Sequence, residues 1–197
     1  MGELWLARHG ETEWSRTGQH TGHTDLPLTP AGEARARALG EALGGRRFAR
    51  VLTSPLRRAR DTCALAGYGA VAELEPELVE WDYGDYEGLR LEEIRARAPG
   101  WTIWTGGVPG GESAAQVAAR AARVIARALA VGPGDGDALL FGHGHALRVL
   151  ATVWAGWPVE AGRALALDTA TVSVLGTDAH GERVIRLWNG TPPAPPG

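Results

Sequence analysis

The chain has 197 residues and a formal net charge of −3 at pH 7. This length suits a single α/β domain, and the negative charge argues against a nucleic-acid-binding surface. Its single cysteine, Cys63, excludes an internal disulfide, so we expect a reducing, cytoplasmic compartment. The N-terminus has no signal-peptide pattern. No window approaches the roughly 18 apolar residues of a membrane span, so no membrane partner is expected.

The first part of the chain predicts a strand, a long loop and a helix. An apolar run over residues 3–7 is typical of a buried strand. Residues 10–28 show no sustained periodicity and predict a loop, which at this length is usually functional in a compact domain. Thr29 is suited to cap a helix and Pro30 to take its first position, so a helix is predicted to extend to Leu43.

A second strand and helix follow. Residues 48–53 contain a short apolar run that predicts a strand. Ser54 and the proline after it repeat the capping pattern, so a helix is predicted to about residue 66. A short third strand is predicted within residues 71–79. An acidic, aromatic loop then leads to a short helix over residues 89–98.

Two tryptophans and several glycines mark residues 99–111, which predict an aromatic loop or lid. Ser113 is suited to cap the Ala-rich helix that follows, and Gln116 stands at the capping-box position. This helix is predicted to end near residue 131, because residues 132–136 are rich in glycine and contain a proline.

The last part of the chain predicts a buried strand over residues 138–141, followed by a helix to about residue 155. Residues 171–176 and 183–188 predict an antiparallel hairpin. Strands that alternate with helices indicate an α/β fold: a three-layer, mainly parallel, doubly wound sheet, here with an antiparallel edge. We expect one domain over residues 1–190 and a Pro-rich, frayed tail over residues 191–197.

Two predicted strands end in a histidine that is followed by glycine, namely His9 and His143. If both strands are central and parallel, the two imidazoles reach the same edge of the sheet, where open α/β sheets bind ligands. Arg8 and Arg58 would add guanidinium groups there, and the helix after His143 would point its N-terminus at the same place. A single strand-end histidine is more often structural, but the combination predicts a pocket for a tetrahedral anion.

A set of motifs in chain order resembles the histidine phosphatase superfamily, in its phosphoglycerate-mutase-like branch 1. The motifs are Arg8-His9-Gly10-Glu11-Thr12, Thr21-Gly22 with Asp25, Leu28-Thr29, Ser54-Pro55-Leu56-Arg57-Arg58-Ala59, Leu78-Val79-Glu80, Gly111-Glu112-Ser113 and His143-Gly144. The resemblance extends to about residue 190. It implies a phosphoglycerate-mutase-like fold and an enzyme that acts on a small phosphorylated substrate, without a cofactor or a metal.

The resemblance also implies a role for each matching residue. His9 would be the nucleophile that becomes phosphohistidine. Arg8, Arg58 and His143 would bind the transferring phosphoryl group, and Glu80 would protonate the leaving oxygen and later activate water. Neutral imidazole is a competent nucleophile near neutral pH, and fixed cationic donors supply the charge stabilisation that phosphoryl transfer needs.

Four further positions are expected to bind substrate: Ser15, Thr21, Gly22 and Gly144. The sequence departs from the family pattern at Ser15, where many relatives have an asparagine that contacts phosphate. It departs again at His145, where the mutases typically have asparagine, and no role for His145 follows from the sequence.

The family contains phosphatases and mutases. Mutases carry a basic insertion between the acid and the second histidine, whereas residues 99–111 of this chain contain no basic residue. We therefore expect a metal-independent phosphomonoesterase, with a cofactor-dependent phosphoglycerate mutase as the alternative. A further alternative interprets His20 with His23, and His143 with His145, as zinc ligands, although no carboxylate stands at a recognisable spacing beside them.

Two questions stay open at this point. The aromatic residues between the acid and the long helix would line the leaving-group side of the cleft or build the core, with neither favoured: Trp81, Tyr83, Tyr86, Trp101 and Trp104. The terminal hairpin leaves an edge that could form a homodimer, although nothing in the sequence requires one.

Overall fold

The computed structural model describes residues 2–130 and 136–190 of the chain. The strands are β1 (Leu4–Arg8), β2 (Arg50–Thr53), β3 (Glu73–Leu74), β4 (Ala138–Gly142), β5 (Val172–Thr177) and β6 (Arg183–Gly190). The helices are α1 (Glu13–Thr17), α2 (Pro30–Leu43), α3 (Arg57–Leu65), α4 (Leu91–Arg97), α5 (Ala114–Leu129) and α6 (Gly144–Ala155). No helix within the described ranges is long and apolar enough to cross a membrane.

The strands form one mixed sheet in the order β3-β2-β4-β1-β5-β6. The first four strands of that order run parallel to their neighbours, whereas β5 pairs antiparallel with β1 and β6 antiparallel with β5. The prediction of a mainly parallel sheet with an antiparallel edge is confirmed. A homodimer through that edge stays a prediction.

The sheet has an apolar layer on each face, because successive side chains of a strand point to opposite sides. Leu4 and Leu6 belong to the cluster that includes residues of α5 and α6. Trp5 and Ala7 belong to the cluster that includes residues of α2 and α3, among them the free thiol of Cys63, which is 1% exposed. The predicted three-layer arrangement is therefore present.

The predicted loop over residues 10–28 contains a short helix, α1, that the sequence did not suggest. Thr12 caps this helix by accepting from the backbone N–H of Ser15 at 3.2 Å, and the Ser15 hydroxyl accepts from the N–H of Thr12 at 2.8 Å. This is a capping box with serine in place of the usual glutamate or glutamine, so its sequence signal is weak.

The helix predicted from Ser54 begins three residues later, at Arg57. Leu56 precedes it in extended conformation without a side-chain cap. The hydroxyl of Ser54 instead lies 2.8 Å from Nε2 of His143. The third predicted strand is also shorter than expected: β3 has two residues, and a 3₁₀ turn begins at Pro76, which has no N–H to donate to a sheet.

Of the predicted loop or lid, residues 99–111 form a loop, and their tryptophans pack into the core. Trp101 is 4% exposed and Trp104 is 7% exposed, and the indole N–H of Trp101 donates to the carbonyl of Gly107 at 2.7 Å. The capping box predicted at the start of α5 is present. The predicted helix end at residue 131, most of the predicted break at 132–136 and the tail at 191–197 lie outside the described residues.

Candidate active site

The two predicted histidines meet at one edge of the sheet because β1 and β4 are adjacent and parallel. Their register places Arg8 opposite Gly142, and the N–H of His9 donates to the carbonyl of Gly142 at 3.0 Å. His9 and His143 therefore leave the sheet side by side, with their ring centroids 5.2 Å apart.

His9 is held in one tautomer. Its Nδ1 lies 2.7 Å from the carbonyl oxygen of Gly10, which can only accept, so Nδ1 carries the proton and Nε2 has the lone pair. Burial, together with the charges of Arg8 and Arg58, holds the pKa of His9 well below its usual 6.5. His9 is 4% exposed and lines a cleft of about 180 Å³. A neutral imidazole, whose Nε2 has no hydrogen-bond partner among the described residues, therefore lies at the wall of the cleft.

Arg58 lies completely buried beneath the cleft instead of on its surface. Its Nε donates to Nδ1 of His143 at 3.1 Å, and its Nη1 and Nη2 donate to three backbone carbonyls of the loop after α1, those of Thr21, Gly22 and Thr24. Burial lowers the pKa of Arg58 below its ordinary value. The guanidinium therefore ties the loop to the sheet edge and uses most of its donors in doing so.

His143 is neutral and bonded at both ring nitrogens. Nδ1 accepts from Arg58, so the proton sits on Nε2 and is donated to Oγ of Ser54 at 2.8 Å. Burial and the neighbouring charge of Arg58 hold the pKa of His143 well below 6.5. The position beside His9 was predicted, whereas the partner Ser54 was assigned to a helix cap.

Arg8 has a partly buried side chain that lines the cleft. One Nη donates to the carbonyl of Leu167, and its buried Nε has no partner among the described residues. A Cβ atom on Gly144 would lie 3.3 Å from Cζ of Arg8, so the glycine leaves the room that the guanidinium occupies. An unpartnered, buried N–H of a cation beside His9 is suited to an anionic ligand.

Glu80 caps the helix that follows His143. Its carboxylate accepts from the backbone N–H groups of Trp81, His145 and Ala146 at 2.8 to 3.0 Å. The sequence predicted that the N-terminus of α6 points, with unpaired N–H groups, at the place where the two histidines meet, but two of its first N–H groups donate to Glu80. This arrangement fixes the carboxylate next to the cleft that it lines.

A buried ion pair, which the sequence analysis missed, holds the segment that carries Glu80. Arg120 of α5 donates to both carboxylate oxygens of Glu112, at 2.9 and 3.0 Å. Its remaining donors reach the backbone carbonyls of Glu77, Val79 and Glu80 at 2.7 to 3.1 Å. The only available signal was an arginine at an apolar position of the helix.

The predicted substrate-binding residues divide into two groups. Ser15, Thr21 and Gly144 line the cleft. The Ser15 hydroxyl, however, donates to the Thr12 carbonyl as well as accepting its N–H. Gly22 is not part of the lining; its carbonyl accepts from Arg58 and its N–H donates to the carboxylate of Glu87. Glu87 thus anchors the loop, a role that the sequence did not reveal.

Most of the aromatic residues considered for the cleft belong to the core. Trp81, Trp101 and Trp104 are buried in the cluster around α5 and α6, whereas Tyr83 lines the cleft and contacts Nδ1 of His145 at 2.6 Å. Within residues 2–130 and 136–190, no group of three or more His, Cys, Asp or Glu side chains is placed to hold a metal ion.

Comparison with known proteins identifies relatives over most of the chain. The family model of the histidine phosphatase superfamily (branch 1) matches residues 4–191. An acid phosphatase of Mycobacterium tuberculosis is 43% identical over 186 residues, which cover 93% of this chain and 90% of the relative. A sedoheptulose 1,7-bisphosphatase of Saccharomyces cerevisiae is 38% identical over 79% of this chain and 68% of its own length.

Other relatives include a probable phosphoglycerate mutase of Cronobacter sakazakii, 31% identical over 88% of this chain and 84% of its own. Among solved structures, the protein encoded by an open reading frame of Mycobacterium tuberculosis superposes with a TM-score of 0.91 at 42% identity. The match covers 96% of this chain and 98% of the other. A mycobacterial glucosyl-3-phosphoglycerate phosphatase superposes with a TM-score of 0.86 at 30% identity, covering 96% and 100%.

Proposed function

The chain belongs to branch 1 of the histidine phosphatase superfamily, and we propose that His9 is the residue that receives the phosphoryl group. The protein is a phosphomonoesterase that works through a phosphohistidine intermediate on small phosphorylated metabolites. One observation carries the assignment to His9: its Nδ1–H is held by the Gly10 carbonyl at 2.7 Å, which leaves Nε2 unprotonated at the cleft.

In the first step, Nε2 of His9 attacks phosphorus, and the bond between phosphorus and the ester oxygen breaks. Glu80 donates a proton to the departing oxygen. Arg8 offers its unpartnered Nε and remaining guanidinium donors to the phosphoryl oxygens. Fixed donors of this kind stabilise charge in the transition state without having to reorganise. The products are a phosphohistidine and a free alcohol.

In the second step, water attacks the phosphohistidine and Glu80 accepts its proton. The bond between phosphorus and Nε2 breaks, and orthophosphate leaves. We also assign Arg58 and His143 to the phosphoryl site. Arg58 is a buried cation, and the neutral imidazole of His143 lies 5.2 Å from the His9 ring. We assign Ser15, Thr21, Gly22 and Gly144 to substrate binding, with Gly22 acting through the position of Arg58. No step requires a metal.

Hydrolysis is favoured over a mutase reaction, in which the phosphoryl group returns from the histidine to the substrate. The reason is that few cationic side chains are available to bind a second phosphoryl group. Apart from Arg8, the arginine in the cleft lining is Arg148, whose guanidinium already donates to the carbonyls of Gly162 and Arg163. Residues 99–111 contain no basic side chain. A mutase has to hold a bisphosphorylated intermediate and exclude water.

The proposal is tested by trapping the phosphoenzyme. Acid-labile, alkali-stable label should appear when the enzyme is quenched during turnover of a ³²P-labelled phosphomonoester in the presence of EDTA. His9→Ala should abolish the label and lower kcat by at least about 1000-fold. His23→Ala, at an exposed position, serves as the matched control. Label or full turnover retained in His9→Ala would refute the assignment.

The mutase alternative is separated by its product. With 3-phosphoglycerate and a bisphosphoglycerate primer, a mutase forms 2-phosphoglycerate faster than free phosphate, whereas we expect free phosphate to dominate. Loss of activity in EDTA that zinc restores would instead favour the metal-dependent alternative.

We also propose a cytoplasmic location, because the single thiol of the chain is free and buried. Fractionation of cells that produce the protein tests this, and recovery outside the cytoplasmic fraction would contradict it.

A further inference from the structure

One wall of the cleft is formed by neighbouring rings that the proposed chemistry does not use. His20, Tyr83 and His145 line it. Nδ1 of His20 bonds to the carbonyl of Leu89 at 2.9 Å, and the rings of His20 and Tyr83 pack edge to face with centroids 4.9 Å apart. The wall is therefore built from side chains whose orientation is fixed by neighbouring groups.

Tyr83 determines where the proton of His145 sits. The Tyr83 hydroxyl lies 2.6 Å from Nδ1 of His145 and has no other hydrogen-bond partner among the described residues. If Nδ1 carried the proton, the phenolic proton would have no acceptor, so the phenol donates and the proton of His145 sits on Nε2. Burial raises the pKa of Tyr83 well above 10, which keeps the phenol protonated.

His145 is a neutral donor. Burial and the charge of Arg148 hold its pKa well below 6.5. Its Nδ1 is used by Tyr83, and no hydrogen bond within the described ranges uses Nε2. The ring thus presents one N–H that is not already engaged with protein.

The main chain places this donor next to the reacting groups. The backbone N–H of His145 donates to Oε2 of Glu80 at 3.0 Å, and the preceding residue, Gly144, lies against the guanidinium of Arg8. Since Glu80 is assigned to the ester oxygen, a side chain from the adjacent residue that lines the same cleft is placed to reach the alcohol part of the substrate.

We propose that Nε2–H of His145, oriented by Tyr83, donates a hydrogen bond to a hydroxyl oxygen of the leaving alcohol. His145 is then a specificity-determining residue for polyhydroxylated monoesters, and Tyr83 is a positioning residue. The proposal rests on the proposed function, because it takes Glu80 to mark the ester oxygen. A neutral donor suits a hydroxyl oxygen, and one such hydrogen bond changes relative kcat/KM by about 3- to 10-fold.

The test compares glycerol 1-phosphate with propyl phosphate, which has the same carbon chain and lacks the hydroxyls. The measured quantity is the ratio of their kcat/KM values. We expect the wild-type enzyme to favour glycerol 1-phosphate, and His145→Ala to reduce the ratio by about 3- to 10-fold. His145→Gln can place an amide N–H close to the position of Nε2 and should recover most of the ratio. Tyr83→Phe, which frees the tautomer, should reduce it in part.

His180→Ala, on the exposed hairpin turn, is the matched control and should leave the ratio unchanged. A ratio that is unaltered in both His145→Ala and Tyr83→Phe overturns the proposal, because a purely structural role would slow both esters equally. Trapping the phosphoenzyme distinguishes failure of the proposed function from failure of the inference about His145. If the wild-type protein forms no phosphohistidine, the proposed function fails; if it does and the ratio is unaltered, only this inference fails.

Discussion

Nη2 of Arg120 donates to the backbone carbonyl oxygen of Glu80 at 3.1 Å, although Arg120 lies on α5 and is not among the residues that line the cleft. The same guanidinium is paired with Glu112. The position of the proposed acid thus depends on a buried cation of the long helix α5.

We expect Arg120→Met to destabilise the protein by about 3 kcal/mol, because it leaves Glu112 without its cation and three carbonyls without a donor. Arg123→Met is the matched control one turn along: Arg123 pairs with Glu77 on the surface, and its loss should cost less than about 1 kcal/mol. Denaturant unfolding of the two variants measures the difference. Equal free energies of unfolding for the two variants would contradict a stabilising role of the Arg120–Glu112 pair.

Glu80→Gln should slow esters with poor leaving groups by about 100-fold or more, because general-acid catalysis contributes 10² to 10⁴. p-Nitrophenyl phosphate should be affected much less, since nitrophenolate leaves without protonation. Steady-state rates for alkyl phosphates and p-nitrophenyl phosphate check this. The control Glu73→Gln, at an exposed site, should change neither rate. If Glu80→Gln slows both ester types equally, Glu80 is not the general acid.

The buried histidines predict a loss of stability in mild acid. The pKa values of His9, His143 and His145 are depressed in the folded protein, so below pH 6.5 the unfolded chain binds protons that the folded protein does not. The free energy of unfolding therefore falls as pH decreases from about 6.5 towards the folded pKa values, by up to about 1.4 kcal/mol per pH unit for each group.

Unfolding free energies at pH 7.5 and pH 5.5 measure this effect. The wild-type protein and His180→Gln, which changes an exposed histidine, should lose the same amount between the two values. His145→Gln should lose up to about 1.4 kcal/mol less, because one depressed group is gone. The idea fails if all three proteins show the same pH dependence.

Gly144→Ala should impair binding of the phosphoryl group. The added methyl would lie 3.3 Å from Cζ and 3.4 Å from Nε of Arg8, so the guanidinium has to shift. We expect kcat/KM to fall by about 10-fold, because a misplacement of about 1 Å can cost about 100-fold and the shift needed here is smaller. Thermal unfolding should change little, since alanine is a better helix former than glycine. Unchanged kcat/KM would show that Arg8 tolerates the shift.

The central part of the site could be predicted from sequence because it rests on local patterns. Two apolar strands that each end in a histidine followed by glycine already implied that His9 and His143 meet, and the parallel pairing of β1 with β4 confirms it. Side chains such as Ser54 gave the wrong indication for a physical reason: the residue has the local pattern of a helix cap, but a hydrogen bond to His143 from a distant strand end outweighs it.

Groups that act through tertiary contacts were beyond prediction. Arg120 stands in an Ala-rich helix, and nothing in its neighbourhood in the sequence indicates that three carbonyls about 40 residues earlier are its partners. The tryptophans of residues 99–111 have the composition of a lid, but whether they face the cleft or the core depends on how the segment packs against α5 and α6.

The packing of Cys63 between the sheet and its helices has a consequence for redox sensitivity. Burial raises the pKa of this thiol to about 12, so at physiological pH almost none of it is thiolate, the form that peroxide and alkylating reagents attack. Because the proposed nucleophile is an imidazole, turnover should persist through oxidative stress that silences phosphatases with a catalytic thiolate. Incubation of the native protein with iodoacetamide or hydrogen peroxide should leave its hydrolysis rate unchanged.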